Sequence, residues 1–283
     1  MGDRTVGALA LIDGWPAGAK AAAVLVGGEI VDDRGAVETR LSWASVTKLV
    51  TALATMAAVD RQRLSLQDAA GPPGATVRHL LAHASGLSFD SSTVRAAPGR
   101  RRIYSNTGYE VLADVVARAV GQSFDRWVVE AVTGPLGMTS TVLRGSPAAG
   151  MVGPVADLVG IAEELARPML LPAELVQTMQ TVAFPGLGGV VPGFGHQLAD
   201  DWGLGPEIRG HKSPHWTGLA SSPATFGHFG AAGGFVWVDP SAGVACVCLT
   251  SCPFGSWARE AWPVLADAVL DEWRAAMPVT PPP

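Results

Sequence analysis

Ser45 and Lys48 are the first residues in the chain whose types and spacing suggest chemistry. They stand three positions apart at the start of a segment with helical periodicity, so both side chains lie on one helix face. A serine hydroxyl becomes a nucleophile when a neighbouring base takes its proton. A lysine amine can do this only when burial or nearby positive charge lowers its pKa. By itself, the spacing more often marks an exposed helix N-cap followed by a surface lysine.

A second group of residues lies in the stretch RIYSNTGYEV, positions 102–111. It contains both tyrosines of the chain, Tyr104 and Tyr109, together with the only asparagine, Asn106. Because Tyr104 and Asn106 are two positions apart, an extended or looped backbone directs both side chains to the same side. A phenol can pass on a proton, and a carboxamide can hold a lysine amine. A packed tyrosine and a turn asparagine would explain either residue alone, but the clustering of such scarce residues favours catalysis.

The third candidate element is the segment HFGA, positions 228–231, which enters an apolar strand. A strand beside a serine nucleophile can offer a backbone N–H to the developing oxyanion, with the N–H of the nucleophile as second donor. We expect Gly230 to let a substrate approach the backbone closely. His228 would add a titratable group at the mouth of the site, although a lone histidine before a strand is usually a polar strand end.

These elements, in this order, resemble the class C β-lactamase-related serine hydrolases. The resemblance covers residues 18–270 approximately. It rests on the segments ASVTKLVTALA, TVRHLLAHASGL, YSNTGYEVLADVVARAVGQSFDRWV, PLGM and FGHFGAAGGFVWVDPSAGVACVCLT. That broad family includes β-lactamases, D-alanyl-D-alanine carboxypeptidases, D-aminopeptidases, esterases and some acyltransferases.

The resemblance implies a role for each candidate residue. Ser45 matches the acylated nucleophile, Lys48 its proton partner, and Tyr104 the general base. Asn106 matches the amide that orients the substrate, and the N–H groups of Ser45 and Ala231 would form the oxyanion hole. His83, in the AHASGL segment, matches a structural turn of the family and is assigned to packing.

The resemblance also implies an α/β, β-lactamase-like fold: a mixed, mainly antiparallel sheet flanked by helices, with an inserted helical lobe. Residues 1–62 and 196–283 are expected to form the sheet lobe, and residues 63–195 the helical lobe, with the cleft between them. Periodicity and turn residues predict the elements. They are a hairpin over 20–40, a helix from Ser45, a short helix capped by Thr76, helices over 110–120, 124–132, 156–165 and 173–181, irregular backbone over 184–195, three strands between 202 and 251, a helix over 256–274 and a frayed tail over 278–283.

The third motif departs from the pattern of the family. Classical members carry Lys-Thr-Gly, whose side chains grip a substrate carboxylate, whereas this chain has His-Phe-Gly. Phe229 removes a donor and adds an apolar ring to the cleft, which favours a neutral acyl substrate. Trp43 and Phe226 would act in the same direction if they line the cleft, and a place in the core is at least as consistent with their types.

The sequence therefore predicts a serine hydrolase acting through an acyl-enzyme, with an esterase on small or medium acyl esters as the first hypothesis. A β-lactamase or D-amino-acid amidohydrolase, and an acyltransferase, use the same chemistry and stay open. A non-catalytic penicillin-binding-like module is the alternative from a different class. The complete set of Ser45, Lys48, Tyr104 and Asn106 argues against that module.

Composition excludes several classes of partner. The net charge is −5 and the only basic run is 100–102, so neither nucleic acid nor an anionic membrane is expected to bind. No apolar run is long enough to span a bilayer, and the N-terminus is a poor signal peptide. The three cysteines, Cys246, Cys248 and Cys252, have no ligand spacing; the first two are expected on one face of a buried strand. We therefore expect a cytoplasmic protein with no metal or cofactor, a small-molecule acyl substrate as partner, and an oligomeric state that the sequence leaves open.

Overall fold

The computed structural model describes residues 7–274. The tail over 278–283 and the first six residues lie outside them. The strands, in chain order, are β1 (Lys20–Val26), β2 (Glu29–Gly35), β3 (Leu41–Ser42), β4 (Val142–Leu143), β5 (Met151–Gly153), β6 (Gly189–Val191), β7 (Gly195–Gln197), β8 (Glu207–Ile208), β9 (Phe226–Gly230), β10 (Gly234–Asp239) and β11 (Val244–Thr250). The α-helices are α1 (Thr47–Asp60), α2 (Val77–Leu81), α3 (Asn106–Val120), α4 (Phe124–Val128), α5 (Val155–Ala166), α6 (Ala173–Met179) and α7 (Ser256–Trp273). Tighter helical turns cover Ala8–Gly14 and Ala44–Val46, and a π-helical turn, Val129–Thr133, continues α4.

The largest sheet has six strands in the order β2-β1-β11-β10-β9-β8, and each neighbouring pair is antiparallel. Strands from both ends of the chain build it, as the sequence predicts. A smaller sheet, β3-β5-β4, and the hairpin β6-β7 lie outside it. Helix α5, within the segment 63–195, packs against β1, β10 and β11. The division into two lobes stays a prediction.

Strict alternation of buried side chains along the central strands gives the sheet two covered faces. In β1, Ala23 and Leu25 join the core cluster shared with α1 and α5, whereas Val24 joins the cluster covered by α7. Cys246 and Cys248 belong to the second cluster, so both point to one face of β11 as predicted. Burial of each Val or Leu side chain contributes roughly 1.5–3 kcal/mol to the free energy of folding. The two layers of helices that cover the sheet are therefore its main stabilising contacts.

The hairpin β1-β2 is confirmed, and its turn explains the paired glycines of the sequence. Gly27 and Gly28 have φ values of 61° and 84°, both in the left-handed region. A two-residue turn with positive φ at both positions matches the right-handed twist of the flanking strands. Glycine adopts that conformation without the steric cost that a side chain brings.

The helix predictions hold in outline and differ at their ends. Thr76 caps α2, with a reciprocal capping box to His79. Helix α3 starts at Asn106 rather than at residue 110, because the hydroxyl of Ser105 accepts the N–H of Gly108 and opens the helix earlier. The predicted helix over 124–132 is an α-helix followed by the π-helical turn.

The prediction of irregular backbone over 184–195 is wrong. Strands β6 and β7 form a hairpin there, with Val190 paired to His196. Gly193 and Gly195 have φ values of 81° and 84°. The glycines therefore supply the turn of a hairpin and do not prevent its strands.

Within residues 7–274, no helix combines the length and the apolar character that a membrane span needs.

The two cysteines on β11 provide a test of the packing. Cys246 and Cys248 are fully buried, and burial raises the pKa of both thiols, whereas Cys252 is partly exposed. We expect one thiol per chain to react with Ellman's reagent in the native protein, and three to react in guanidinium chloride. Rapid native reaction of two or more thiols would contradict the placement of this strand.

Candidate active site

The turn that carries Ser45 is held in a strained conformation. Ser45 lies in the tight turn Ala44–Val46, immediately before α1. Ala44 has a φ of 44°, which costs a non-glycine residue about 1–2 kcal/mol. Trp43 anchors the turn, since its backbone N–H and its indole Nε1 donate to carbonyls of β5 at 3.0 and 3.1 Å. Anchored strain of this kind is typical of functional turns.

Trp43 and Phe226 belong to the core and do not line the cleft. Their relative exposures are 0% and 2%, and both lie in the core cluster shared with α1. Of the two interpretations that the sequence leaves open for these aromatics, the structure supports the core position.

The amine of Lys48 has three acceptors around it. Nζ donates to Asn106 Oδ1 at 2.7 Å and to the carbonyl of Ala148 at 2.9 Å, and it lies 3.3 Å from Ser45 Oγ. A protonated amine has three N–H groups and fills all three positions. A neutral amine that keeps the two shorter bonds directs its lone pair at Ser45. Loss of one proton therefore turns Lys48 into a base aimed at the hydroxyl.

The electrostatics of the site favour that neutral form. Lys48 is completely buried, and burial lowers its pKa to about 7, with a weak opposing effect from Glu110. The ring centroids of Tyr104 and Tyr109 lie 4.6 and 5.6 Å from Nζ and cover it from solvent. A substantial fraction of Lys48 is therefore neutral near pH 7.

Ser105 positions the two residues that flank it, Tyr104 and Asn106. Its hydroxyl accepts a bond from the first turn of α3 and donates to the carbonyl of Ser88 at 2.6 Å. Its N–H donates to Nδ1 of His83 at 3.1 Å. The start of α3 thus fixes the carboxamide that holds Lys48.

His83 is a packing residue, in agreement with its assignment from the sequence. Its ring is buried. The distance between ring centroids is 4.5 Å to Tyr104, 5.0 Å to Tyr109 and 4.7 Å to Trp202. Burial holds the pKa of His83 well below its usual value. The neutral ring supports Tyr104 from behind.

The hydroxyl of Tyr104 lies between the nucleophile and the third motif. It lies 3.5 Å from Nε2 of His228, and it is close enough to the Ser45 hydroxyl for that group to affect its pKa. Burial raises the pKa of Tyr104, and the nearby hydroxyl of Ser45 opposes this only in part. The phenol therefore stays protonated at neutral pH, a state that suits relay of a proton better than a standing phenolate base.

The expectation of a titratable His228 at the mouth of the site is wrong. The side chain has a relative exposure of 3%, and burial, assisted by the charge of Lys48, lowers its pKa to about 3. Nδ1 lies 2.7 Å from the carbonyl of Phe229, which assigns the proton to Nδ1 and leaves Nε2 as an acceptor facing Tyr104. His228 is thus an internal, neutral acceptor.

Gly230 is needed for a different reason from the one the sequence indicates. An added Cβ would lie 2.3 Å from the carbonyl oxygen of Trp43 and 3.2 Å from the backbone nitrogen of Ser45. The nucleophile turn of the protein itself, rather than a substrate, occupies the space. This close approach brings β9 and the following residue, Ala231, beside Ser45 N. Among the backbone hydrogen bonds of residues 7–274, the N–H of Ala231 is not a donor, so it is free for an oxyanion.

A cavity of about 130 Å³ opens beside Ser45. Five predicted residues and five that the sequence analysis missed line it: Ser45, Tyr104, His228, Phe229 and Ala231, and Phe89, Pro192, Trp202, Glu207 and Phe254. Lys48 and Asn106 contact Ser45 or each other but do not form the wall. Of the five missed residues, only Glu207 had a signal in the sequence, because it is an acidic residue inside the apolar segment WGLGPEI.

Phe229 lines the cavity but packs mainly against other aromatic rings. Its ring centroid lies 5.0 Å from that of Phe254, 5.6 Å from Trp216 and 5.8 Å from Trp262. The apolar ring expected from the sequence is therefore part of the cluster under α7, and it narrows one side of the cleft.

Glu207 belongs to a buried ionic cluster behind the cavity. Its carboxylate accepts from Trp216 Nε1 at 2.8 Å and lies 3.1 Å from His215 Nε2 and 3.2 Å from Lys212 Nζ. Lys212 also lies 3.5 Å from Asp200. Burial alone would raise the pKa of Glu207, but Lys212 and the other donors hold it well below its usual range. Glu207 is therefore a fixed negative charge.

Within the described residues, no group of three or more His, Cys, Asp or Glu side chains has an arrangement that could hold a metal ion.

The family model described as Beta-lactamase matches residues 16–270. The chain belongs to this family. Members of this β-lactamase-related family are serine hydrolases, as the resemblance of the motifs predicts, and the matched range agrees with the predicted one.

Solved structures confirm the β-lactamase-like fold. The chain is 49% identical to a β-lactamase, Mb2281c, from Mycobacterium bovis, with a TM-score of 0.93 over 94% of this chain and 99% of that one. Simvastatin synthase LovD from Aspergillus terreus is 15% identical, with a TM-score of 0.78 over 94% and 96% of the two chains, and supports the fold alone.

A curated relative matches a shorter region. The D-alanyl-D-alanine-carboxypeptidase/endopeptidase AmpH of Escherichia coli K12 is 28% identical in an alignment of 141 residues, and the match covers 37% of this chain and 37% of AmpH. The match spans little more than a third of the length of AmpH.

The contact between β9 and the nucleophile turn can be tested with Gly230→Ala. The added methyl cannot coexist with the carbonyl of Trp43, so Ser45 must move relative to Lys48. We expect labelling of Ser45 by a fluorophosphonate to slow by about 10²-fold. Gly14→Ala, where a Cβ meets nothing within 4 Å, is the control. A folded Gly230→Ala protein that labels at the wild-type rate would show that the approach does not position the nucleophile.

Proposed function

We propose that the protein is a serine hydrolase that forms an acyl-enzyme at Ser45 and acts on neutral esters of small or medium acyl groups. The observation that carries the proposal is the position of Lys48 Nζ, 3.3 Å from Ser45 Oγ, with a pKa lowered to about 7. A base with a pKa near the working pH is the most effective at taking a proton in the transition state.

Acylation begins when Ser45 Oγ attacks the ester carbonyl. Its proton passes to the lone pair of Lys48, directly or through the hydroxyl of Tyr104. The N–H groups of Ser45 and Ala231 stabilise the negative oxygen of the tetrahedral intermediate, and loss of one such donor typically costs about 10²–10³ in turnover. The proton then returns through Tyr104 to the departing alkoxide.

Deacylation repeats these steps with water in place of the alcohol. Lys48, neutral again, takes the proton of the water, and the oxyanion meets the same two donors. Asn106 keeps the amine in position in both halves, because its Oδ1 holds one N–H of Lys48 at 2.7 Å. The acid leaves and Ser45 recovers its proton.

The third motif supports a substrate without a carboxylate. In place of a lysine ammonium there is a neutral imidazole, and in place of a threonine hydroxyl there is the ring of Phe229. Neither group can pair with an anion. A β-lactam or a peptide C-terminus would bring its carboxylate to this wall without a partner.

β-Lactam hydrolysis is the second candidate, since the 49% identical relative from M. bovis is described as a β-lactamase. An acyltransferase and a D-alanyl-D-alanine peptidase use the same nucleophile, and AmpH is a carboxypeptidase/endopeptidase. A non-catalytic penicillin-binding-like module would not need a lysine base near pH 7.

A direct comparison of substrates separates these candidates. We expect p-nitrophenyl acetate and butyrate to be hydrolysed with a kcat/KM at least about 10²-fold above that for nitrocefin. Ser45→Ala should lower ester turnover by about 10³-fold or more. Mass spectrometry after fluorophosphonate treatment should show one adduct, at Ser45.

Each contrary result identifies a different candidate. Preferred hydrolysis of nitrocefin would indicate a β-lactamase, and transfer of the acyl group to added alcohol in preference to water would indicate an acyltransferase. Absence of an adduct on Ser45 would indicate the binding module.

The pH dependence of ester hydrolysis tests the role of Lys48. Below pH 7 the amine is protonated and uses all three N–H groups, so it cannot accept a proton. We therefore expect log kcat/KM to rise with a slope near 1 up to about pH 7 and then to level off. Lys48→Arg, which keeps a positive charge at every accessible pH, should lose about 10²–10⁴-fold in rate. If log kcat/KM for one ester stays constant between pH 5.5 and pH 8, Lys48 is not the base.

A further inference from the structure

The cavity beside Ser45 combines apolar walls with one fixed charge. Phe89, Pro192, Trp202, Phe229 and Phe254 supply the apolar surface. The cavity volume of about 130 Å³ is well below the roughly 300–1,000 Å³ that is typical of sites for drug-sized ligands. The cavity therefore suits a short acyl chain attached to a carbonyl at Ser45.

Glu207 is the charged residue of this wall. Strand β8 pairs it with Gly227, next to His228, and its side chain has a relative exposure of 2%. Three donors, from Trp216, His215 and Lys212, hold its two oxygens in place. A buried carboxylate with such partners keeps its charge and its position when a ligand enters.

Glu207 is the one formally charged residue among the described residues that line the cavity. Its partner Lys212, and Asp200 on the other side of that lysine, are not lining residues. His228, which separates Glu207 from Tyr104, is neutral. A ligand in the cavity therefore meets the negative charge of Glu207 through surroundings that contain little water to screen it.

We propose that Glu207 is a specificity-determining residue of the acyl pocket, where its charge admits short neutral or cationic acyl groups and rejects those that carry a carboxylate. This inference rests on the proposed function, because it takes Ser45 as the acylated residue. It goes beyond the third motif, since it assigns selection of the acyl group to a residue on a different strand.

Alkylboronic acids test the pocket without turnover, because their boron binds a catalytic serine and their alkyl chain takes the place of the acyl chain. We compare three probes of similar size: n-butylboronic acid, 3-aminopropylboronic acid and 2-carboxyethylboronic acid. Their inhibition constants are measured against p-nitrophenyl acetate hydrolysis at pH 8. We expect the anionic probe to bind at least about 30-fold more weakly than the butyl probe. The cationic probe should bind within about 3-fold of the butyl probe, or more tightly.

In the wild-type protein, the decisive result is the difference in affinity between the anionic probe and the cationic probe. A pocket that is merely apolar would reject both ions by desolvation, whereas the charge of Glu207 rejects only the anion. The charge of Lys48 would act in the opposite direction. Equal binding of the anionic and butyl probes, or equal rejection of both ions, would overturn the proposal.

Two variants test whether Glu207 causes this difference in affinity. Glu207→Gln should reduce the discrimination against the anionic probe to within about 5-fold. Asp200→Asn is the matched control, since Asp200 contacts the same lysine but does not line the cavity, and it should keep the wild-type ratio. An unchanged ratio in folded Glu207→Gln would overturn the proposal. If that variant does not fold, the wild-type asymmetry decides the question.

Failure of this inference is distinguishable from failure of the proposed function. If Ser45 is not the nucleophile, the butyl probe does not inhibit and no ester is hydrolysed. If only the role of Glu207 is wrong, ester hydrolysis and inhibition by the butyl probe persist without discrimination between ions.

Discussion

The site depends on a buried amine that has no carboxylate partner. Among the ion pairs of residues 7–274, none includes Lys48, and its two short hydrogen bonds go to neutral oxygens of Asn106 and Ala148. Burial of an ammonium group is costly unless an opposite charge compensates, so the pKa falls. A carboxylate in the place of the Asn106 amide would stabilise the charged form and remove the base. That constraint explains why the only asparagine of the chain stands at position 106, where a neutral acceptor of the right length is required.

The position of the hydroxyl depends on backbone contacts more than on side chains. Ala44 is held in a left-handed conformation by the bonds of Trp43 to β5, and Gly230 allows β9 to touch the same turn. Three segments that are distant along the chain therefore meet at Ser45. A shift of any one of them changes the distance to Lys48 or to the N–H of Ala231, and a misplacement of about 1 Å is enough to lose most of the rate.

The sequence predicted the parts of the fold and of the candidate site that local pattern controls. The spacing of Ser45 and Lys48, and the clustering of Tyr104 and Asn106, led to four side chains that the structure brings together, because short motifs on helix starts fix relative positions. The hairpin β6-β7 was missed because the glycines of residues 184–195 are ambiguous between a turn and irregular backbone. The charge state of His228 and the lining residues Trp202, Glu207 and Phe254 depend on burial and on contacts between distant segments, which local spacing does not contain.

The two buried lysines, Lys48 and Lys212, indicate that partners rather than burial decide what such an amine does here. Lys212 lies against Asp200 and Glu207, whose charges stabilise an ammonium group, and it serves the structure. Lys48 is just as buried but meets only neutral oxygens and aromatic faces. The rings of Tyr104, Trp202 and His228 stand within 5.4–5.8 Å of one another, centroid to centroid, and form a neutral wall that includes the phenol next to Lys48 and the imidazole beside β8. If a carboxylate such as Glu207 reached Lys48, the amine would gain a charged partner and lose its lone pair. Lys48 can therefore act as a base only if it is kept apart from the carboxylates around Lys212. The aromatic wall that separates them is also the surface on which a substrate would lie.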